Sequence, residues 1–225
     1  MNTMKEQIKR IQRAVGTVAD GIWGSKTLQA VADRLRCAAD LRAVQRAVHA
    51  EADGVLGAET VGKIYAALGL VWPTQAEVRT GRSIFGKAGD ERNLVSIETP
   101  YPLYFEGKRV QSIRVHKLVA NAVRAALEEV LEHYGIEKIH ELGLDDYSGS
   151  YNYRATASGA AMSMHAWGIA LDFAADKNGL RQTARSASLA KPECRKWWEI
   201  WESYGATSLG RARDYDWMHL QFASL

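Results

Sequence analysis

No run in the 225 residues approaches the roughly 20 apolar side chains that a membrane-spanning helix needs, so no membrane insertion is expected. Two cysteines, Cys37 and Cys194, are too few and too far apart for a disulfide framework, and neither lies in a Cys-x-x-Cys pair. Two free thiols suit folding in a reducing compartment. The first ten residues carry charge without an apolar stretch behind it, so a secretory signal peptide is not expected. There is no basic run and no basic-aromatic platform, which argues against a nucleic-acid partner. The net charge of +3 is small, and residues 1–70 hold all of the excess, with 10 Lys and Arg against 7 Asp and Glu.

What is present begins with a repeat. Ile11-Gln-Arg-Ala-Val15 precedes Asp20-Gly-Ile-Trp-Gly24-Ser-Lys-Thr27, and at an offset of 33 Val44-Gln-Arg-Ala-Val48 precedes Asp53-Gly-Val-Leu-Gly57-Ala-Glu-Thr60. So many matches in register indicate a duplication. Each copy reads as a helix, an Asp-Gly turn, a short apolar insert ending in Gly, and a second helix. Thr27 and Thr60 are expected to cap those second helices, and the glycines to take positive φ. The pattern resembles the peptidoglycan-binding type 1 module, which implies a small three-helix bundle over residues 1–70 and peptidoglycan as partner. Asp20, Trp23 and Asp53 are the side chains there that could touch a glycan.

The stretch from Gly69 to Thr74 closes this module. Residues 71–110, rich in Gly and charge and holding Pro100 and Pro102, read as a linker with little regular structure. Gly86-Lys-Ala-Gly89 lacks the spacing of a phosphate loop and reads as a turn. Apolar residues from Val115 to Tyr134 fall on one helical face, closed by Gly135. His116 lies just outside that stripe, and His133 and His140, near the helix end and in the next segment, read as surface or capping residues. Lys196-Trp-Trp-Glu-Ile-Trp201 reads as a helix whose tryptophans belong to the core.

The chemistry lies between residues 153 and 222. Ser163-Met-His165-Ala-Trp-Gly168-Ile-Ala170-Leu-Asp172 is followed downstream by Asp216-Trp-Met-His219. Gly168 to Phe173 suits a strand, with Gly168, Ala170 and Asp172 on one face. Tyr215 to Phe222 suits a second strand. Together they could bring two imidazoles and a carboxylate together, a catalytic zinc set with one position left for water. Manganese or another divalent ion is an alternative, though two His and one Asp favour zinc.

The pattern resembles the zinc D-alanyl-D-alanine carboxypeptidase family, which includes cell-wall carboxypeptidases, vancomycin-resistance dipeptidases and phage endolysin peptidases and shares its fold with the hedgehog signalling domain. The resemblance spans about residues 75–225, with a catalytic core over 111–225. It implies an α+β chain: the N-terminal bundle, then a mostly antiparallel sheet flanked by helices. It also implies His165, Asp172 and His219 as zinc ligands, Asp216 as catalytic base, and Arg154 on the substrate carbonyl or oxyanion. Ser163 and Tyr153 would support substrate binding.

The whole chain is thus expected to be an endolysin-like peptidase that cuts a stem-peptide amide and lyses bacteria. It would be made in the host cytoplasm and act in the periplasm or cell wall once the membrane is breached. A monomer is expected. Two other readings stay open: a D-alanyl-D-alanine carboxypeptidase that trims without lysis, and a non-catalytic wall-binding or virion protein. The missing signal peptide weighs against the first, and the intact ligand-plus-base set against the second.

Overall fold

A computed structural model describes residues 4–68, 70 and 72–225. The chain forms two compact units, Met1–Trp72 and Pro73–Leu225. It mixes helices with antiparallel strands. Gly69 and Val71, in the stretch expected to close the first module, lie outside the described residues.

Among the described residues the first unit has four helices, α1 (Met4–Val15), α2 (Ser25–Leu35), α3 (Leu41–Ala47) and α4 (Ala58–Ala67). The three helices implied by the resemblance are therefore corrected to four, two from each copy of the repeat. Ile11 and Val44, 33 residues apart, are both fully buried in one core with Val31, Ala32, Val48, Val61 and Ile64.

The polar residues of the repeat build the same network twice. Gln12 Nε2 lies 2.7 Å from Asp20 Oδ1, 2.9 Å from Ile22 O and 3.1 Å from Thr27 Oγ1, while its Oε1 accepts from Gly21 N at 2.8 Å. Gln45 meets Asp53 Oδ1, Val55 O, Thr60 Oγ1 and Gly54 N at 2.6, 3.0, 3.1 and 2.9 Å. Gly21 and Gly54 take φ of 76° and 80°, as expected, but Gly24 is extended at −108°. Thr27 is not a cap. It sits inside α2, whose capping position is Gly24, and its hydroxyl answers Gln12 instead. Thr60 likewise lies inside α4 and answers Gln45. Buried amides need partners more than these helix ends need caps.

The second unit opens with α5 (Gln75–Arg79), started by a capping box between Thr74 and Glu77. Next come β1 (Leu94–Phe105) and β2 (Lys108–His116), an antiparallel hairpin where little regular structure was expected. Pro100 and Pro102 fall where the register shifts, between Glu98 and Leu103, a place where missing N–H donors break no ladder. Glu106 and Gly107 turn the hairpin, both at positive φ as a type I′ turn requires.

The long helix α6 runs over Ala120–Leu142. It starts five residues later than the apolar stripe suggested, because Val115 and His116 are the buried end of β2. Gly135 interrupts it at φ 68°, but helix resumes beyond and Gly143 ends it.

A four-stranded sheet follows, in the order β3 (Tyr147–Gly149), β4 (Ala170–Phe173), β6 (His219–Gln221), β5 (Thr207–Ser208), every pairing antiparallel. Helix α7 (Arg195–Ser203) packs its tryptophans into the core, as expected, with Phe173 5.3 Å from Trp197 and 6.0 Å from Trp201 between ring centres. Burying each such ring contributes on the order of 2–3 kcal/mol. A short helix α8 (Leu209–Arg213) precedes β6. Cys37 and Cys194 are free thiols, as expected. Among the described residues no helix is long and apolar enough to cross a membrane.

Candidate metal centre

Strand pairing sets two of the three donors. Asp172 on β4 and His219 on β6 are register partners. Directly opposed side chains of an antiparallel pair stand within about 5.5 Å on one face of a sheet. His165 comes from a single 3-10 turn, Met164–Trp167, just ahead of β4. Ser163 caps that turn, accepting from His165 N at 3.4 Å, and Gly168 ends it at φ 69°. A Cβ on Gly168 would meet Leu94 Cδ2 at 2.6 Å and His116 N at 3.1 Å, so the turn closes against β1 and β2. Gly168 therefore does not share the strand face with Asp172, as the alternation had suggested. The Gly86–Gly89 turn also braces this element: Trp167 Nε1 donates to Gly86 O at 2.9 Å and Gly89 N to Ala166 O at 2.8 Å.

His165, Asp172 and His219 are all buried, and one donor atom from each lies within 4.8 Å of the others. His165 Nε2 is 3.1 Å from Asp172 Oδ2 and 3.2 Å from His219 Nδ1, and His219 Nδ1 is 2.9 Å from Asp172 Oδ1. Zinc bonds of about 2.1 Å at tetrahedral angles separate ligand atoms by about 3.4 Å, a few tenths of an ångström wider than these separations, so small side-chain shifts would admit the ion.

The far sides of both rings fix which nitrogen is offered. His165 Nδ1 is 2.5 Å from Ser150 O, and a carbonyl can only accept, so Nδ1 carries the proton and Nε2 the free lone pair. His219 Nε2 faces Gln221 Oε1 at 3.2 Å, which leaves Nδ1 to bind. Metal-binding imidazoles need such partners. Burial alone would raise the Asp172 carboxyl, but the hydrogen bonds that His165 Nε2 and His219 Nδ1 donate when they carry protons instead of a metal outweigh it and hold it well below the ordinary carboxylate value. Burial works against a protonated His219, yet the Asp172 carboxylate outweighs it and raises that group. The three residues could hold a metal ion.

A cavity of about 470 Å³ is lined by the three donors together with Asp216, Arg154 and Ser163. Asp216 is buried, and its Oδ1 has no hydrogen-bond partner among the described residues. Burial pushes its carboxyl upward, against the pull of His219. It does not lie on a strand. The expected strand over 215–222 shrinks to His219–Gln221, and Asp216 sits in the preceding turn at φ 54°, a conformation Asp tolerates better than most residues. Arg154 is exposed on the cavity wall.

Tyr153 is not brought to the cavity. It is 63% exposed, and its ring lies over Gly89, where a Cβ would meet it at 2.8 Å. Of the other histidines, His140 Nδ1 pairs with Asp145 Oδ2 at 2.7 Å, His133 rests on Tyr134, and His116 is buried at the end of β2. None lines the cavity.

Sequence reasoning missed Gln75, Arg79, Ser150 and Gln221. Gln221 was legible, since it stands two residues after His219 and so shares its strand face. Ser150 acts through its backbone carbonyl, which no side-chain pattern reveals. Gln75 and Arg79 come from a stretch that read as linker.

No family model, curated protein or solved structure matches this chain.

Proposed function

We propose that the chain is a zinc-dependent peptidase of peptidoglycan, cutting an amide in the stem peptide, with the first unit holding the wall. The observation that carries this is the buried His165–Asp172–His219 set sharing a cavity with an unpartnered Asp216 oxygen. A structural zinc site is closed by four protein ligands, whereas three ligands facing a cavity suit catalysis. The antiparallel sheet that carries Asp172 and His219 suits the hedgehog-like peptidase fold that the motif implies. In the first unit the glycan contacts remain part of the proposal. Oδ1 of Asp20 and of Asp53 is committed to its own turn, and Trp23 packs against the core.

His165, Asp172 and His219 would hold the zinc, which would supply a Lewis acid and lower the pKa of water to about 7. Asp216 takes the proton of the attacking water and returns it to the leaving amine, a transfer suited to a carboxyl whose affinity for protons burial has raised. Arg154 on the cavity wall offsets the charge that develops on the carbonyl oxygen. Ser163 positions His165 through the turn it caps. Tethering to the wall by the first unit raises the local substrate concentration.

Synthesis in the cytoplasm, action at the wall as a monomer, and lysis follow from the same reading. The test is hydrolysis of purified stem peptides by metal-stripped protein with and without added zinc. A new amine that appears only with zinc is expected. No product under either condition overturns the reading.

A further inference from the structure

The far side of His219 belongs to a chain of amides that begins in the segment opening the second unit. Gln221 Oε1 accepts from His219 Nε2 at 3.2 Å and from Gln75 Nε2 at 2.9 Å. Gln221 Nε2 donates to Ala223 O at 2.8 Å. A backbone carbonyl only accepts, so this last bond fixes which end of the Gln221 amide faces His219. The side chain of Gln221 is buried.

Gln75 is itself held in place. Thr74 pairs with Ser224 in a parallel bridge, Gln75 N donates to Ser224 O at 2.8 Å, and Ser224 N donates to Pro73 O at 3.1 Å. The capping box then turns the chain into α5 immediately after Thr74. Backbone bonds to the strand's own continuation therefore deliver one side chain to the back of a metal-facing histidine.

We propose that Gln221 and, through it, Gln75 are positioning residues that make His219 an Nδ1 ligand. The opening segment of the second unit is thereby a working part of the metal centre. The inference rests on the metal-binding reading of the site and not on which bond is cut. Neither amide touches the reacting atoms. Their work is to hold a proton on Nε2 and a lone pair on Nδ1, and partners of this kind set metal affinity by about 10–100-fold.

The test uses the full chain and four variants. Gln221→Leu removes the acceptor. Gln221→Glu keeps an acceptor toward His219. Gln75→Met keeps bulk without hydrogen bonding. Gln75→Glu turns the donor into an acceptor opposed to Gln221 Oε1. Zinc affinity is read by chelator competition, and the His219 Nε2–H signal by nitrogen-15 NMR of the zinc-loaded protein.

Affinity should fall by about 10–100-fold in Gln221→Leu, with loss of that signal, and recover in Gln221→Glu. In Gln75→Glu it should fall by about tenfold, and by less in Gln75→Met. A purely structural strap would instead make Met and Glu at position 75 equal and leave the signal in place. Unchanged zinc affinity in both Gln75→Glu and Gln221→Leu overturns the proposal. Wild-type protein that binds zinc with the His219 signal intact, yet cuts no stem peptide, would remove the peptidase reading and leave this inference standing.

Discussion

Asp172 and His219 face each other across β4 and β6, with Asp172 Oδ1 2.9 Å from His219 Nδ1 and the other carboxylate oxygen turned to His165. One carboxylate thus aligns both imidazoles. Asp172→Asn removes the anionic donor and should weaken zinc binding by more than about 100-fold, beyond the loss expected for an outer partner. Isothermal titration of metal-stripped protein measures it. A loss under about tenfold would contradict Asp172 as a ligand.

Asp216→Asn separates binding from chemistry. Asp216 lines the cavity without joining the three donors, so zinc should still bind one ion per chain. Turnover should fall by about 10²–10⁴-fold, the usual worth of a positioned acid-base group. Zinc content and kcat on a stem peptide check the pair. Full activity would remove Asp216 from the mechanism, and lost zinc would make it a ligand.

His116 supplies a pH prediction away from the metal. Burial pushes its pKa down from 6.5 to about 4. Above pH 6.5 neither the folded nor the unfolded form is charged, so the group contributes nothing there. As pH falls below that value the unfolded chain takes up the proton first, and folding weakens. The cost is complete near pH 4 and reaches about 3 kcal/mol. Carbon-bound proton shifts of the His116 ring should show no protonation above about pH 5. A midpoint near its ordinary value would contradict the burial argument.

The duplicated network in the first unit gives a matched pair of substitutions. Gln12→Leu removes the donor to Ile22 O and Thr27 Oγ1, the acceptor of the Gly21 amide and one of the two bonds to Asp20 Oδ1, and Gln45→Leu removes the matching bonds to Val55, Thr60, Gly54 and Asp53. Each should destabilise this unit by about 1–3 kcal/mol. Hydrogen exchange at Gly21 and Gly54 reads the loss. A change in only one copy would show that the two networks are not equivalent.

The convergence of His165, Asp172 and His219 was legible in the motif, because a strand over 170–173 and another ending the chain could bring a turn histidine, a strand carboxylate and a second histidine together. The four helices were legible in the repeat, where Ile11 and Val44 recur as core and the Asp-Gly turns recur between helices. The hairpin was not, because Pro100 and Pro102 mimic a loop when they sit at a bulge. The Glu106-Gly107 pair between Phe105 and Lys108 was its one local signal. The helix start was misplaced because Val115 satisfies a helical stripe and a buried strand end equally well. Tyr153 was assigned through its neighbour Arg154, but adjacent residues on an extended segment face opposite ways, and Tyr153 turned to Gly89.

The most direct measurement is mass spectrometry of purified sacculi digested with zinc-loaded wild-type protein and with Asp216→Ala. New amino termini within the stem peptide from the wild type alone are the expected result, and their sequence identifies the bond. Release of D-alanine alone would assign a carboxypeptidase. No zinc-dependent product from the wild type on several wall types would contradict the peptidase reading.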